Sequence, residues 1–299
     1  MEGERRPRFD AVVIGEGGEA ERAIAAVGGQ IFASIGWDEA ARLEVAPSTV
    51  VAVEAIGASD DALAAGLPRV AEIAAEQELP VVVALDERQI DLVASHLLGA
   101  RVHLACPPDL ADRVTGLLLA ARELDQSPHA FIGEGEAERL ARIADELARV
   151  TELLSQLVRQ QPRADVLADR SLGYAAPPAD PVSARADPAE IRRVIRARRA
   201  RDKVFGARLF EDPAWDILLD LFAAHLEGGD VSVSSLCIAA AVAPTTALRW
   251  IGRMTSTGLL VRTQDAADKR RALITLSDRG LSGMQRYAAT LRQQGLPFA

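Results

Sequence analysis

Cysteine, histidine and long apolar runs are all scarce in this sequence, and each scarcity excludes a class of protein. The chain of 299 residues has four histidines and two cysteines, Cys106 and Cys237, too scattered to form a metal-ligand set. Two buried apolar side chains are the expected role of these cysteines, rather than redox sensing. No apolar run reaches the roughly 18–20 residues of a membrane helix, and the first residues form no secretory signal. We therefore expect a cytoplasmic protein with no membrane span, metal or cofactor.

Charge is distributed unevenly along the chain, although the net charge of −9 is acidic. Residues 1–186 contain 17 Lys and Arg against 31 Asp and Glu, whereas residues 187–299 contain 17 against 12. The first part therefore has a balance of −14 and the second a balance of +5. Because phosphates are attracted to a basic segment and repelled by an acidic one, any contact with nucleic acid is expected in the second part.

Short β-branched runs alternate with helical patterns in residues 9–127. The predicted strands are Asp10–Gly15, Gly29–Ser34, Thr49–Glu54, Pro80–Leu85 and Arg101–Cys106, and each is followed by a predicted helix, including WDEAARL after the second. Apolar strands separated by amphipathic helices are typical of a parallel sheet covered on both faces. Five such units predict a flavodoxin-like, receiver-like α/β domain over residues 9–127.

The receiver-like pattern lacks the residues that phosphotransfer requires. A receiver needs an acidic pair after strand one, an aspartate after strand three, a hydroxyl after strand four and a lysine after strand five. The corresponding positions hold Glu16, Glu54, Leu85 and Cys106. A glutamate acceptor would displace the phosphoryl group by about a bond length. We expect no phosphotransfer; Glu54 is then a fixed negative charge, a buried carboxylate or a solvated one.

The segment GEGGEA at residues 15–20 fits a loose Gly-x-Gly-x-x-Ala pattern between a strand and a helix. Glu16 and Glu19 would lie beside the pyrophosphate of a dinucleotide, and no acid follows the second strand to hold a ribose. The α/β domain is therefore expected to be non-enzymatic and to serve as a dimerisation module or as a surface for a protein partner.

Residues 128–160 contain an apolar seam with heptad spacing, separated by charges. Its members are Leu140, Ile143, Leu147, Val150, Leu154 and Leu157. Such a seam predicts a helical stalk that dimerises as a coiled coil, although it spans under three heptads and a helix packed on its own domain remains the alternative. Residues 161–188, rich in Pro, Ala and Asp, predict a flexible linker.

Residues 189–299 show the element order of a winged helix–turn–helix, an α+β fold. Asp212 and Pro213 predict the start of one helix, and Ala243-Pro244 the turn before another. The second helix of such a motif enters the major groove with its first residues near base edges. The side chains at these positions are Thr245, Thr246 and Arg249, with Arg253 one turn later. Ala247, Ile251 and Met254 are expected to face inward.

A predicted β-hairpin follows this helix and carries a cluster of cations at its base. Lys269, Arg270 and Arg271 lie on one side and Arg262 on the opposing strand. These side chains are placed to cross the phosphate backbone or enter the minor groove, and Asp268 is expected to orient one arginine internally. A solvated charge run is the alternative, but the adjacent helix–turn–helix favours DNA binding.

The region from about residue 190 to 294 resembles the winged-helix domain of MarR-type transcription regulators. The matching residues are Thr246, Arg249, Gly258-Leu259-Leu260, Asp268-Lys269-Arg270-Arg271, Leu276-Ser277 and Gly280. The resemblance covers about a third of the chain. It implies a homodimer whose first and last helices pair, bound to double-stranded DNA at a pseudo-palindromic operator. Ala243 departs from the pattern, because a serine-like cap is common there.

We therefore expect a sequence-specific DNA-binding transcription regulator that acts as a homodimer, with the recognition helix in the major groove and the basic wing on the backbone or minor groove. The alternative is a ligand-binding or enzymatic N-terminal α/β domain, with the winged helix used only for protein contacts.

Overall fold

The computed structural model describes residues 9–125, 186–206, 209–268 and 270–298. The predicted stalk (128–160), with its six apolar seam residues, lies outside the described residues, as does the predicted linker except for its last three residues. Both stay predictions.

A five-stranded parallel sheet forms the centre of the α/β domain (residues 9–125). Its strands are β1 Asp10–Ile14, β2 Gln30–Ile35, β3 Thr49–Glu54, β4 Val81–Ala84 and β5 Val102–Ala105. They are ordered β2-β1-β3-β4-β5 and every neighbouring pair is parallel. This is the doubly wound order of flavodoxin-like domains. The predicted parallel sheet is confirmed, with each strand within a residue or so of its expected bounds.

Helices cover both faces of the sheet, because alternate strand residues point in opposite directions. The helices are α1 Glu19–Ala26, α2 Asp60–Glu76, α3 Ile90–His96 and α4 Leu110–Asp125, with short 3₁₀ helices at Ala40–Arg42 and Glu87–Gln89. Ala11 and Val13 belong to the same apolar cluster as residues of α1 and α4. Val12 and Ile14 belong to the cluster that contains residues of α2 and α3.

The helix predicted from WDEAARL after β2 is wrong. Only Ala40–Arg42 form a single 3₁₀ turn, because the chain must become extended again at Leu43 to place Leu43 and Val45 in the core. Phe32 on β2 is 71% exposed. Without a helix over it, part of the edge strand β2 stays exposed to solvent.

The C-terminal domain (residues 186–206, 209–268 and 270–298) begins with two long helices, which are followed by three strands and three further helices. In chain order the elements are α5 Pro188–Phe205, α6 Pro213–Glu227, β6 Val231–Ser232, α7 Val233–Ala239, α8 Pro244–Ser256, β7 Leu260–Gln264, β8 Ala272–Leu276 and α9 Asp278–Gln293. The strands form an antiparallel sheet in the order β6-β8-β7. The Asp212 carboxylate caps α6 by accepting from the Trp215 backbone N–H at 3.3 Å. This order is consistent with a winged helix.

The described residues of the α/β domain and of the C-terminal domain belong to one compact unit. A single cluster of buried apolar side chains includes Leu92, Val93 and Leu97 of the α/β domain together with Leu248 and Ile251 of α8. The two domains therefore share part of their core.

Among residues 9–125, 186–206, 209–268 and 270–298, no single helix is long and apolar enough to cross a membrane. Helices α7 and α8 reach that length and composition only when they are taken together, and they are bent by 112° at the break between them.

Candidate nucleic-acid interface

Helices α7 and α8 form a helix–turn–helix. The Ser232 hydroxyl caps α7 by accepting from the Ser235 backbone N–H at 3.2 Å, whereas α8 begins at Pro244 without a side-chain cap. The inward face of α8 is buried at Ala247, Ile251 and Met254, as the sequence predicted. The opposite face presents Thr246, Arg249 and Arg253, of which the two arginines are exposed.

Trp250 lies between these two faces of α8. It is half-buried and packs against the main apolar cluster. The guanidinium of Arg253 lies 5.5 Å from the centre of its ring, a distance at which a cation is attracted to an aromatic face. The indole therefore supports a cation on the outer face of the helix.

The β7–β8 hairpin is closed by backbone hydrogen bonds across its tip. Asp265 N–H donates to the Arg271 carbonyl at 3.0 Å, and Arg271 N–H donates to the Asp268 carbonyl at 2.9 Å. The Asp268 carboxylate accepts from the Arg270 backbone N–H at 3.0 Å. Asp268 is thus an internal partner that orients the backbone of an arginine. Arg270 and Arg271 are exposed, and Lys269 lies outside the described residues.

The first turn of α8 contacts the α/β domain. The Thr245 hydroxyl accepts from the Cys106 backbone N–H at 2.8 Å and donates to the Cys106 carbonyl at 3.1 Å. Cys106 follows β5, so the end of the sheet is held against the start of the helix. The predicted DNA contact Thr245 is therefore occupied by the other domain in this structure.

The first turn of α7 makes a second contact. The Asp91 carboxylate on α3 accepts from the Ser234 backbone N–H at 2.9 Å and from the Ser234 hydroxyl at 2.6 Å. Charge-assisted hydrogen bonds of this length are stronger than neutral ones. One carboxylate therefore accepts both hydrogen bonds that Ser234 donates.

Two predicted DNA-binding arginines of the hairpin also contact the α/β domain. Arg262 donates to the Ala94 carbonyl at 2.8 Å, and burial lowers the pKa of Arg262. Arg270 forms an ion pair with the exposed Asp61 at 2.7 Å. These partners, together with Asp91 and Ser234, were not found from the sequence. The opposite charge balances of the two parts of the chain are the one sequence feature that is compatible with the Arg270–Asp61 pair.

A cavity of about 290 Å³ lies where α8 meets β5 and α4. Thr246 and Arg249 line it from one side, and His103, Asp112 and Thr115 from the other. The structure describes seven of the eight predicted DNA-binding residues. Thr245, Arg262 and Arg270 hydrogen-bond to the α/β domain. Thr246 and Arg249 line this cavity, and Arg253 and Arg271 are exposed.

Glu54 has a structural partner at the position where a receiver would carry its phosphoacceptor. Both of its carboxylate oxygens accept from the Arg113 guanidinium, at 3.1 and 2.9 Å, and the two side chains are 5% and 8% exposed. Of the alternatives for Glu54, the structure places it as a buried, paired carboxylate. Its acceptor sites are occupied by an arginine of α4.

Both thiols are buried, as expected. Burial raises the pKa of Cys106 and of Cys237 to about 12. Because the thiolate is the reactive form, burial disfavours reaction of both thiols at neutral pH. Within the described ranges, no three His, Cys, Asp or Glu side chains are grouped so that they could hold a metal ion.

His96, the last residue of α3, is expected to make the folded chain less stable in acid. Burial, and then repulsion from Arg262, lower its pKa below the usual 6.5. The neutral form is therefore favoured in the folded protein, and the associated stability is present above pH 6.5 and is lost as pH falls through the lowered pKa. We expect His96→Gln to reduce the decline of the free energy of unfolding below this pH, measured by denaturant titration. The same substitution at the exposed His225 is the matched control. Identical profiles for wild type and His96→Gln would contradict the prediction.

Comparison with solved structures gives several that are similar to part of this chain, two of which are bacterial proteins named below. No family model matches the sequence, and no curated protein matches it. BpsR of Bordetella bronchiseptica, whose DNA binding is regulated by 6-hydroxynicotinic acid, is 20% identical over 38% of this chain and 82% of its own, with a TM-score of 0.22. The transcriptional regulator PcaV of Streptomyces coelicolor is 20% identical over 39% of this chain and 86% of its own, also with a TM-score of 0.22.

Proposed function

We propose that the chain is a sequence-specific DNA-binding transcription regulator in which neither domain is catalytic. One observation carries the proposal: a helix–turn–helix presents Thr246, Arg249 and Arg253 on the outer face of its second helix, and a hairpin with Arg270 and Arg271 follows directly. A recognition helix with threonine and arginine at its start reads base edges in the major groove. The hairpin arginines bind the backbone or the minor groove.

The proposed assembly is a homodimer on a pseudo-palindromic operator, since two-fold symmetry of the protein requires two half-sites. The heptad seam of residues 140–157 supports this assembly. So does exposed apolar surface at the end of α5, where Val204 is 74% and Phe205 63% exposed. Pairing of the first and last helices of the C-terminal domain would cover apolar surface of this kind.

Gel shift of the full chain against a random duplex pool tests the proposal. Each phosphate contact releases counterions, so affinity is expected to fall steeply between about 50 and 200 mM salt. The duplexes retained after repeated selection should share a pseudo-palindromic sequence, with two half-sites related by two-fold symmetry. Failure of the wild type, and also of variants that weaken the contacts between the two domains, to bind DNA at low salt would reject the function. Salt-insensitive binding would reject the phosphate contacts.

Arg249→Ala is expected to relax the preference at a single base pair of the selected duplex by about 1–3 kcal/mol, because a bidentate arginine–guanine contact discriminates by that amount. Competition gel shifts with duplexes mutated at each position measure this preference. Arg42→Ala, which removes the same charge from an exposed position of the α/β domain, is the control. An equal loss of affinity for every duplex would make Arg249 a phosphate contact instead.

A further inference from the structure

We propose that the α/β domain and duplex DNA compete for one surface of the C-terminal domain, so that the chain binds DNA only when this domain is released. The inference rests on the proposed function. The surface in question consists of the first turns of α7 and α8 together with Arg262 and Arg270, and we call it the reading surface. The contacts that carry the inference are those from Asp91, Cys106, Ala94 and Asp61.

The Asp91 carboxylate occupies the place of a phosphate. In a helix–turn–helix the first helix crosses the DNA backbone, so polar groups on it face phosphate oxygens. Here the Ser234 N–H and hydroxyl, both in the first turn of α7, donate to the two oxygens of Asp91 at 2.9 and 2.6 Å. A carboxylate offers two acceptor oxygens of negative charge, as a phosphodiester does. The same donors therefore cannot bind Asp91 and a phosphate at once.

The turn that follows β5 occupies the place of a base edge. The side chains in the first turn of a recognition helix enter the major groove most deeply. Thr245 lies in that turn, and its hydroxyl is engaged by the amide and carbonyl of Cys106. Its donor and acceptor capacity is directed at the α/β domain rather than at solvent.

Two of the three hairpin arginines, Arg262 and Arg270, also bond to the α/β domain. Arg262 donates to a carbonyl at the end of α3, and Arg270 pairs with the Asp61 carboxylate at the start of α2. Opposite charge balances of −14 and +5 for residues 1–186 and 187–299 agree with such pairing. A domain that is acidic overall thus presents carboxylates and carbonyls to the groups that would otherwise contact DNA.

The backbones of the two domains approach too closely for a duplex to share the site. A Cβ atom added to Gly252 of α8 would lie 3.4 Å from the Gly99 carbonyl oxygen between α3 and β5. Leu97 and Ile251 belong to the same buried apolar cluster. Insertion of α8 into a major groove about 12 Å wide therefore requires the α/β domain to move away.

Asp91→Ala in the full chain tests the competition. The variant removes two charge-assisted hydrogen bonds that exist only in the closed arrangement, and it changes no residue of the reading surface. We expect affinity for a fluorescent duplex of random sequence, about three helical turns long, to rise about tenfold or more. Asp91→Asn keeps the shape of the side chain and removes its charge, so it should raise the affinity for the duplex less. Circular dichroism checks that both variants are folded.

Asp61→Ala and Asp60→Ala form a matched pair that separates contact from charge. Both remove one carboxylate from the start of α2, but only Asp61 pairs with Arg270 among the described residues. Asp61→Ala is expected to raise affinity more than Asp60→Ala does. The competition would be overturned if Asp61→Ala, Asp60→Ala and Asp91→Ala all raised the affinity for the duplex equally. That result would mean that removal of negative charge alone accounts for the effect.

Hydrogen exchange on the wild-type chain gives a second readout. Because the Cys106 N–H is bonded to Thr245 in the closed arrangement, we expect it to exchange faster when duplex is bound. Protection that persists at saturating duplex would show that the domains stay together on DNA and would overturn the competition while leaving DNA binding intact. Absence of binding by wild type and every variant would overturn the proposed function itself, so the two failures are distinguishable.

Discussion

Replacing Glu54 by alanine is expected to lower the free energy of unfolding by about 3–5 kcal/mol, because it leaves the Arg113 charge buried without its partner. Both oxygens of Glu54 are bonded to this guanidinium, and neither side chain is more than 8% exposed. Arg113 also donates to the Pro108 carbonyl at 3.1 Å, and this bond alone does not neutralise its charge. Urea unfolding followed by circular dichroism measures the change.

A double variant separates the loss of a partner from the loss of packing. Glu54→Leu with Arg113→Met replaces both charges by apolar groups, and such replacements of a buried pair are often neutral or stabilising. We expect it to be more stable than either Glu54→Ala or Arg113→Ala. A loss below about 1 kcal/mol for the single Glu54→Ala would indicate that water reaches Arg113, as for an exposed pair.

Removal of both wing arginines, in the variant Arg270→Ala with Arg271→Ala, is expected to weaken binding to every duplex by roughly 10- to 100-fold near 0.1 M salt. The slope of log affinity against log salt concentration should fall by about two, one for each lost phosphate contact. Gel shifts across a salt series measure both quantities. Loss of the Arg270–Asp61 pair offsets part of the effect, because it also weakens the closed arrangement.

The matched control for the wing variant is Arg42→Ala with Arg88→Ala, which removes two exposed arginines from the α/β domain. This control should leave the salt slope unchanged. Unaltered binding by the wing variant, or an equal loss in the control, would contradict the role of the hairpin in DNA binding.

The local pattern of the sequence was sufficient to predict most of the elements. Thr49–Glu54 was predicted with its observed bounds, because a run of β-branched residues between turn residues determines a buried strand. The helix predicted from WDEAARL is wrong, because the helical composition of this segment is overridden by the need to bury Leu43 at its end and Val45 two residues later. A segment of this length is too short for such packing to appear as a periodic pattern of apolar residues.

The candidate site also contains some features that the sequence predicts and others that it does not. The outward arginines of α8 and the internal role of Asp268 followed from local spacing. The partners of Glu54, Ser234 and Thr245 did not, since they lie 59, 143 and 139 positions away along the chain. Contacts between positions so distant depend on how the layers of the fold are placed, and neither periodicity nor turn chemistry in a single sequence encodes that.

We expect the apolar cluster that joins α3 to α8 to make the proposed release of the α/β domain depend on temperature. Leu92 and Leu97 on one side and Leu248 on the other are buried together, so separation of the domains hydrates their apolar surface. Hydration of such surface becomes less unfavourable on cooling, and it raises the heat capacity. The chain is therefore expected to open more readily in the cold and to stay closed on moderate warming, without any change in its chemical partners.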